Sequence, residues 1–392
     1  MKKLTSRLRT FAVSLRLMVT VMCGVALIVS PELPFEVAAA TKSGKSKKSG
    51  SRRRSGKKNY SNTRVKVLWK SADGSQWIRR GRRGIITWRD SAGFVRSMQP
   101  YSGNGAMGRP YSEAINAYAA ELAPDSVRVY SLIAPSQGEY YMPEMLSTAG
   151  AEQAAIEQAA SYLSPDVTPI FVNDTLKAHL DEKIYSRTDH HWSPLGAYYA
   201  SKLFAEVAGV GFRPMEQLRS DTIHDYVGSM YRYTYDPEIK KASEDFIYYM
   251  PPEGYTSEFI TYTIEKGKTR AESEPNVQPF FKDLPDGSGA AYCVFMGGDT
   301  RTVKTTGTGG TPGRRLLIVK DSYGNAMASC LFGSFEEVHV VDFRYFPHNL
   351  VDYARDNGIT DLLFVHSLSL AFAPGTTERL NIMLKQGKDS DR

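Results

Sequence analysis

Two short stretches of this chain hold residue types able to act together on a carbonyl carbon. The first is Thr188-Asp189-His190-His191-Trp192-Ser193-Pro194. On extended backbone, residues two apart point to the same side, so Asp189 and His191 share a face and His190 points away. The Asp189 carboxylate then accepts from one ring nitrogen of His191, selects its tautomer and leaves the other nitrogen free as a base. Trp192 is placed to wall such a site and exclude water. The plain alternative is a pair of capping or surface histidines, since Ser193-Pro194 is itself a good helix start.

The second stretch runs from Leu316 to Ala326. Leu316-Leu317-Ile318-Val319-Lys320 reads as a buried strand, Asp321-Ser322 as a tight turn, and Tyr323-Gly324-Asn325-Ala326 as the start of a helix. Open α/β sheets bind ligands outside the carboxyl ends of their strands. Ser322 there is a candidate nucleophile, with backbone N–H groups and the Asn325 side chain as oxyanion donors. Taken alone, Asp321 or Ser322 reads as an ordinary N-cap. No G-x-S-x-G elbow surrounds the serine, so an ordinary α/β-hydrolase is not indicated.

Other positions carry less. Asp342 and Arg344 end a later strand, where Arg344 either binds an anionic or hydroxyl-rich substrate or pairs with Asp342; the pair is favoured. His366 ends another strand and reads as a satisfied core histidine. Gly307-Thr308-Gly309-Gly310 lacks the Gly-Lys-Ser/Thr of a phosphate-binding loop. Three adjacent residues, 189–191, rarely all face one ion. Neither a metal nor a cofactor is expected.

These residues need a scaffold of strands and helices. Helical spacing covers Pro110–Pro124, Glu152–Leu163 and Pro194 to about Ala208. Strand-like runs cover Val127–Ala134, Thr168–Val172, Leu316–Lys320, Val338–Phe343 and Asp361–His366, with helices near Tyr323–Leu331 and Asn349–Asp356. Such alternation predicts a mostly parallel sheet covered on both faces. Residues 212–310, rich in Tyr, Thr, Pro and Gly with alternating runs such as Glu258–Ile264, break the rhythm. They read as a β-rich insertion in one α/β domain spanning 63–385, followed by a disordered terminus, 386–392.

The ends of the chain have a different character. The chain has 392 residues and a net charge of +7. Residues 42–58 hold nine Lys/Arg and no acid, and residues 1–40 hold five against two acids, which leaves about −5 on the rest. A basic binding face on the body is thus not indicated by net charge, and no nucleic-acid partner is expected. Lys2, Lys3, Arg7 and Arg9 precede an apolar run, Leu17–Val29, and the small-residue site Ala38-Ala39-Ala40. That is the pattern of an export signal, or of an N-terminal anchor, over residues 1–40. Met22 before Cys23 is too large for a lipobox. Residues 41–62 read as a basic disordered linker that either attracts anionic wall polymer or lipid or serves as a spacer. Past the signal only Cys293 and Cys330 remain, too few for a disulfide scaffold.

Together, IYSRTDHHWSPLGAYYA (184–200) followed by KDSYGNA (320–326) resembles the DHHW family, a branch of SGNH-hydrolase-like proteins related to the alginate O-acetylation proteins of the bacterial periplasm. The likeness runs from about Tyr111 to Pro374 and includes VRVYSLIAPSQGEYY (127–141), YVGSMY (226–231) and VVDFRYF (340–346). It implies a flavodoxin-like, three-layer α/β/α fold, with Ser322 as nucleophile, His191 as general base and Asp189 as its orienting partner. Asn325, Trp192, Tyr323 and Arg344 are then the candidate oxyanion and substrate-binding residues. Asp and His two apart and ahead of the serine depart from ordinary SGNH hydrolases and match the alginate O-acetylation branch. The implied function is an extracytoplasmic carbohydrate O-acetyltransferase or O-acetylesterase acting on a polysaccharide, with a membrane-bound acyltransferase as partner. The alternative is a non-catalytic glycan-binding or envelope-assembly protein that kept the fold.

The tail supports one prediction independent of the site. Deleting residues 41–60 should abolish salt-sensitive binding to anionic vesicles or wall material, each basic contact being worth about 1 kcal/mol, while turnover of a small acetyl ester is unchanged. Retained binding makes the tail a spacer only.

Overall fold

The computed structural model describes residues 65–148 and 150–386. The export signal, the basic linker and, apart from Gln386, the C-terminal tail lie outside the described residues.

Four short strands come first: β1 (Lys66–Lys70), β2 (Trp77–Arg80), β3 (Ile86–Arg89) and β4 (Val95–Met98) form an antiparallel sheet in chain order. This sheet has no counterpart in the sequence reading, because its strands are short and interrupted by arginines. Helix α1 (Arg109–Leu122) follows, with Pro110 in its first turn and Tyr111, Ile115, Tyr118 and Leu122 buried along one stripe. Strand β5 (Arg128–Ala134), helix α2 (Ala151–Ala160) and strand β6 (Val167–Ile170) come next. Helix α3 (Pro194–Ala208) is capped as its sequence suggests: Ser193 Oγ accepts from Gly196 N–H, and Gly209 ends it at φ 67°.

Residues 212–310 hold strands β7 (Arg219–Tyr226), β8 (Glu244–Met250), β9 (Thr256–Glu265), β10 (Lys268–Glu272), β11 (Asn276–Val277) and β12 (Arg301–Thr306), with helix α4 (Ser229–Thr234) between the first two. β7 and β8 pair with each other, whereas β9 and β12 join the large sheet. The chain then runs through β13 (Thr311–Lys320), α5 (Gly324–Cys330), β14 (Phe335–Asp342), α6 (Leu350–Asp356), β15 (Asp361–Ser367) and α7 (Pro374–Lys385).

The large sheet has the order β10-β9-β12-β14-β13-β15-β5-β6. The five strands from β14 to β6 are parallel, and β12, β9 and β10 continue the sheet antiparallel. Alternate residues of β13 enter two separate cores. Leu316 and Ile318 pack with residues of α3 and α5, and Leu317 and Val319 with residues of α1, α6 and α7. The protein is therefore a mixed α/β structure whose one large sheet is itself mixed: it is parallel from β14 to β6 and antiparallel beyond, where the sequence pattern predicts a mostly parallel sheet.

The chain order places β14 on one side of β13 and β15 on the other. Strand order reverses about β13, which opens a crevice at its carboxyl end. There Gly324 sits so close to the strand that a Cβ on it would lie 2.4 Å from Lys320 Cβ. Gly324→Ala should cost about 1–3 kcal/mol by forcing helix and strand apart, read by thermal unfolding. Gly375→Ala, at a helical glycine with open space around it, should cost nothing. Equal melting of the two variants would show that no tight packing exists at the start of α5.

Candidate active site

Residues 184–193 form a loop pinched at its base. Ser193 N–H donates to Ile184 O at 2.9 Å, and Tyr185 and Trp192 make an isolated antiparallel bridge. At the tip, residues 187–191 bend instead of extending. Gln137 reaches across from the other side, donating to Asp189 O at 2.6 Å and to Ser97 O at 3.0 Å, which ties the loop to β4.

Asp189 is buried, and its two oxygens are divided between tasks. Oδ2 faces His191 Nδ1 at 3.1 Å and accepts from the Tyr226 hydroxyl. Oδ1 accepts from His190 N–H at 2.8 Å, from Ser229 N–H at 3.2 Å and from the Ser229 hydroxyl. Between Tyr226 and Ser229 the backbone passes so near that a Cβ on Gly228 would lie 2.5 Å from Asp189 Cβ and from Thr188 O. Burial alone raises the pKa of this carboxyl, but His191 and His190, through charge and hydrogen bonding, outweigh it and hold the group well below the usual carboxylate range.

His191 Nε2 lies 2.7 Å from Ser322 Oγ. With Nδ1–H given to Asp189, Nε2 is left to accept the serine hydroxyl. Burial, aided by neighbouring His190 and opposed by Asp189, lowers the His191 pKa, so the ring is neutral at neutral pH. Tyr292 stacks on it, with centroids 3.9 Å apart and planes at 2°.

His190 is not turned away, contrary to the extended-backbone expectation. Because the tip bends, its ring lies on that of His191 with centroids 3.7 Å apart, and its Nδ1 sits 2.7 Å from Ser229 Oγ. The Ser229 hydroxyl donates to Asp189, and His190 Nδ1 also lies 3.1 Å from Asp189 Oδ1, so the His190 Nδ1–H is shared between the serine oxygen and that carboxylate.

Ser322 stands beyond the end of β13. The buried Asp321 shapes its turn: Oδ2 accepts from Ser367 N–H and its hydroxyl, both at 2.7 Å, and Oδ1 accepts from Tyr323 N–H at 2.9 Å. Asp321 thus stitches this turn to the end of β15. Burial raises its pKa. Asn325, half a turn into α5, donates from Nδ2 to Asp299 Oδ1 at 2.8 Å.

A narrow cleft leads to this row, lined by Ser322, His191, Asn325, Asp299, Tyr292, Cys293 and Arg232 among others. Three residues expected at the substrate lie elsewhere. Trp192 is fully buried, and its Nε1–H donates to Tyr323 O at 3.1 Å; it props the turn from beneath. Tyr323 is buried too, its hydroxyl donating to His190 O. Arg344 is held by Asp342, with bonds of 2.8 and 2.7 Å, and by Asp299 at 2.9 Å. Lys320 completes that buried cluster, 2.9 Å from Asp342 and 3.1 Å from Asp299. Burial raises the Asp299 pKa, but Lys320 and Arg344 outweigh it and keep the group ionised.

His366 Nδ1 meets the Tyr111 hydroxyl at 2.7 Å, whereas its Nε2 has no partner among the described residues. Burial drives its pKa down to about 3, so the ring stays neutral. Cys293 and Cys330 are not joined to each other by a disulfide. Ligand atoms of Asp189, His190 and His191 lie within 4.8 Å of one another. Yet an ion there competes with Tyr226, Ser229 and Ser322 for the same lone pairs. Among the described residues no helix is long and apolar enough to cross a membrane.

Tyr226 and Ser229 had a sequence signal, the YVGSMY string, but not a role. Asp299, Tyr292 and Arg232 had none.

The model of the DHHW protein family matches residues 96–341. A crystal structure of a DHHW family protein from Eubacterium siraeum is 32% identical and superposes with a TM-score of 0.66, covering 81% of this chain and 98% of its own. Bacillus cereus PatB1 with a sulfonyl adduct is 18% identical, with a TM-score of 0.58 over 75% of this chain and 97% of its own. The O-acetyltransferase domain of Pseudomonas putida AlgJ is 11% identical with a TM-score of 0.41, over 75% of this chain and 98% of its own, too distant to bear on the argument. No curated protein sequence matches the chain. On its family match and its likeness to the Eubacterium siraeum protein over most of both chains, this protein belongs to the DHHW family.

Proposed function

We propose that this protein is an extracytoplasmic carbohydrate O-acetyltransferase or O-acetylesterase that works through an acyl-enzyme on Ser322. The observation that carries the reading is the hydrogen-bonded row Asp189–His191–Ser322 opening on a cleft. A buried, neutral imidazole 2.7 Å from a serine hydroxyl is the arrangement a general base requires.

In the first step Ser322 Oγ attacks the acyl carbonyl while His191 Nε2 takes its proton. Asp189, ionised and held by Tyr226, Ser229 and the two histidines, stabilises the imidazolium. The developing oxyanion falls to the Asn325 amide, whose one N–H is committed to Asp299 and whose second remains available. His191 returns its proton to the leaving oxygen. In the second step it deprotonates either a glycan hydroxyl or water, which attacks the acyl-serine and restores the enzyme. Transfer and hydrolysis share every group up to that point and differ only in which nucleophile the cleft admits.

The family likeness and the two-sided packing of the sheet support assigning the flavodoxin-like, three-layer SGNH-hydrolase-like fold to a domain spanning 63–385, with 212–310 as its β-rich insertion. The basic start, the apolar run Leu17–Val29 and Ala38-Ala39-Ala40 support export to the periplasm or envelope, where a polysaccharide acceptor and a membrane-bound acyl donor protein are available.

A fluorophosphonate probe should label the wild type at Ser322 and leave Ser322→Ala unlabelled, with acetyl-ester turnover falling by roughly 10³–10⁶-fold. Absence of labelling in well-folded wild type overturns the reading in favour of a glycan-binding protein. His191→Ala should lose as much as Ser322→Ala, whereas His190→Ala should lose only about tenfold, because Asp189 keeps Ser229 and Tyr226. The acyl-enzyme forms only with His191 neutral. Turnover should therefore rise with pH through the lowered His191 pKa, reaching half its maximum below about pH 6.5, the ordinary histidine value. A midpoint above that contradicts the buried, neutral base.

A further inference from the structure

The remaining −5 of the body conceals a local excess of the opposite sign. Residues 66–98 hold eight Lys/Arg against two Asp, and four of the arginines crowd the turn between β2 and β3: Arg79-Arg80-Gly81-Arg82-Arg83-Gly84. That hairpin packs on α4, the helix bearing Ser229 and Arg232, through Ile85 against Met230, with Ile239 from the turn that follows α4 in the same cluster. Arg79 is committed to Asp236. By contrast, Arg80 and Arg83 are exposed. No carboxylate among the described residues lies within ion-pair distance of Arg80, Arg83 or Arg232.

Contacts lead from this turn to the chemistry. The Arg83 guanidinium lies over the Tyr233 ring, 5.3 Å from its centroid, and Tyr233 sits 6.1 Å from the ring of His190. The neighbouring Arg232 lines the cleft with Ser322 and His191, braced by a bond to Gly289 O at 3.2 Å. Among the described residues it is the one Lys or Arg on the cleft wall, and the charge of Asp299 there is matched by Lys320 and Arg344. Arg83 also holds a left-handed backbone, φ 58° and ψ 21°, where glycine is the cheaper residue. An exposed arginine kept at a strained position points to a use for its side chain.

Resting on the acyl-transfer reading, we propose that Arg80, Arg83 and Arg232 form a track that binds a polyanionic glycan, a strand bearing carboxylate or phosphate groups along its length, and leads one of its hydroxyls to Ser322. Guanidinium groups pair with carboxylate and phosphate through directional, charge-assisted bonds. A track that runs into the cleft fits an extended chain; a flat membrane surface seated on it leaves the cleft without purpose.

The test uses the full chain carrying Ser322→Ala, so that binding is read without turnover and stands or falls apart from the acyl-enzyme. The probes are oligogalacturonate and the same oligosaccharide fully methyl-esterified, which is uncharged, with binding followed by calorimetry at low and high salt. The acidic probe should bind roughly tenfold or more tightly, and the preference should fade as salt screens the charges. Arg80→Ser combined with Arg83→Gly should remove most of that preference, and so should Arg232→Gln. The basic N-terminal tail is common to all the proteins compared and cancels. Arg83→Gly removes the backbone strain, so that variant should melt no lower than its parent, and its weaker binding is not a folding defect. Equal affinity for the two probes overturns the proposal, as does an undiminished preference in the arginine variants. So does arginine-dependent binding to anionic phospholipid vesicles without any preference for the acidic glycan.

Discussion

The site depends on keeping one carboxylate ionised in the interior. Asp189 is sealed from solvent, where an unpaired charge costs many kcal/mol. The protein meets this with hydroxyl donors from Tyr226 and Ser229, two backbone N–H groups and the His191 ring. Every one of these donors constrains something else. Tyr226 and Ser229 bring β7 and α4 against the loop, Gly228 permits the approach, and His191 is left with a single tautomer. The basicity that Ser322 meets is thus set by how Asp189 is buried.

A second buried set of charges lies under the opposite side of the cleft. Lys320 and Arg344 face Asp299 and Asp342 at the carboxyl ends of β13 and β14. Two cations and two anions balance, so the cluster adds no net field. Buried ion pairs of this kind are weak sources of stability, but removing one partner strands the others at a cost of about 3–5 kcal/mol. Its role is positional: Asp299 fixes the Asn325 amide, and the strand ends are locked side by side beneath the serine turn.

Much of this was readable from the chain because it rests on local rules. Hydrophobic period marked α1, α3 and strands β5, β13, β14 and β15. Ser193-Pro194 marked the start of α3 to the residue, since an N-cap and a proline act within a single turn. The short strands β1–β4 escaped, because their arginines break the alternation and their order comes from pairing with one another.

The sequence by itself determined which groups are available for chemistry, an Asp-x-His pair ahead of a helix and a serine at the end of a buried strand, together with the family to which they belong. Tertiary structure decided what those groups touch. It bent the loop tip so that His190 lies on His191, sank Trp192 and Tyr323 beneath the turn, spent Arg344 on Asp299 and Asp342, and carried Tyr292 and Arg232 to the cleft. The physical reason is that side-chain environment is a property of non-local packing. His191 and Ser322 meet 131 residues apart, and nothing in the spacing of either motif encodes which residues come between them.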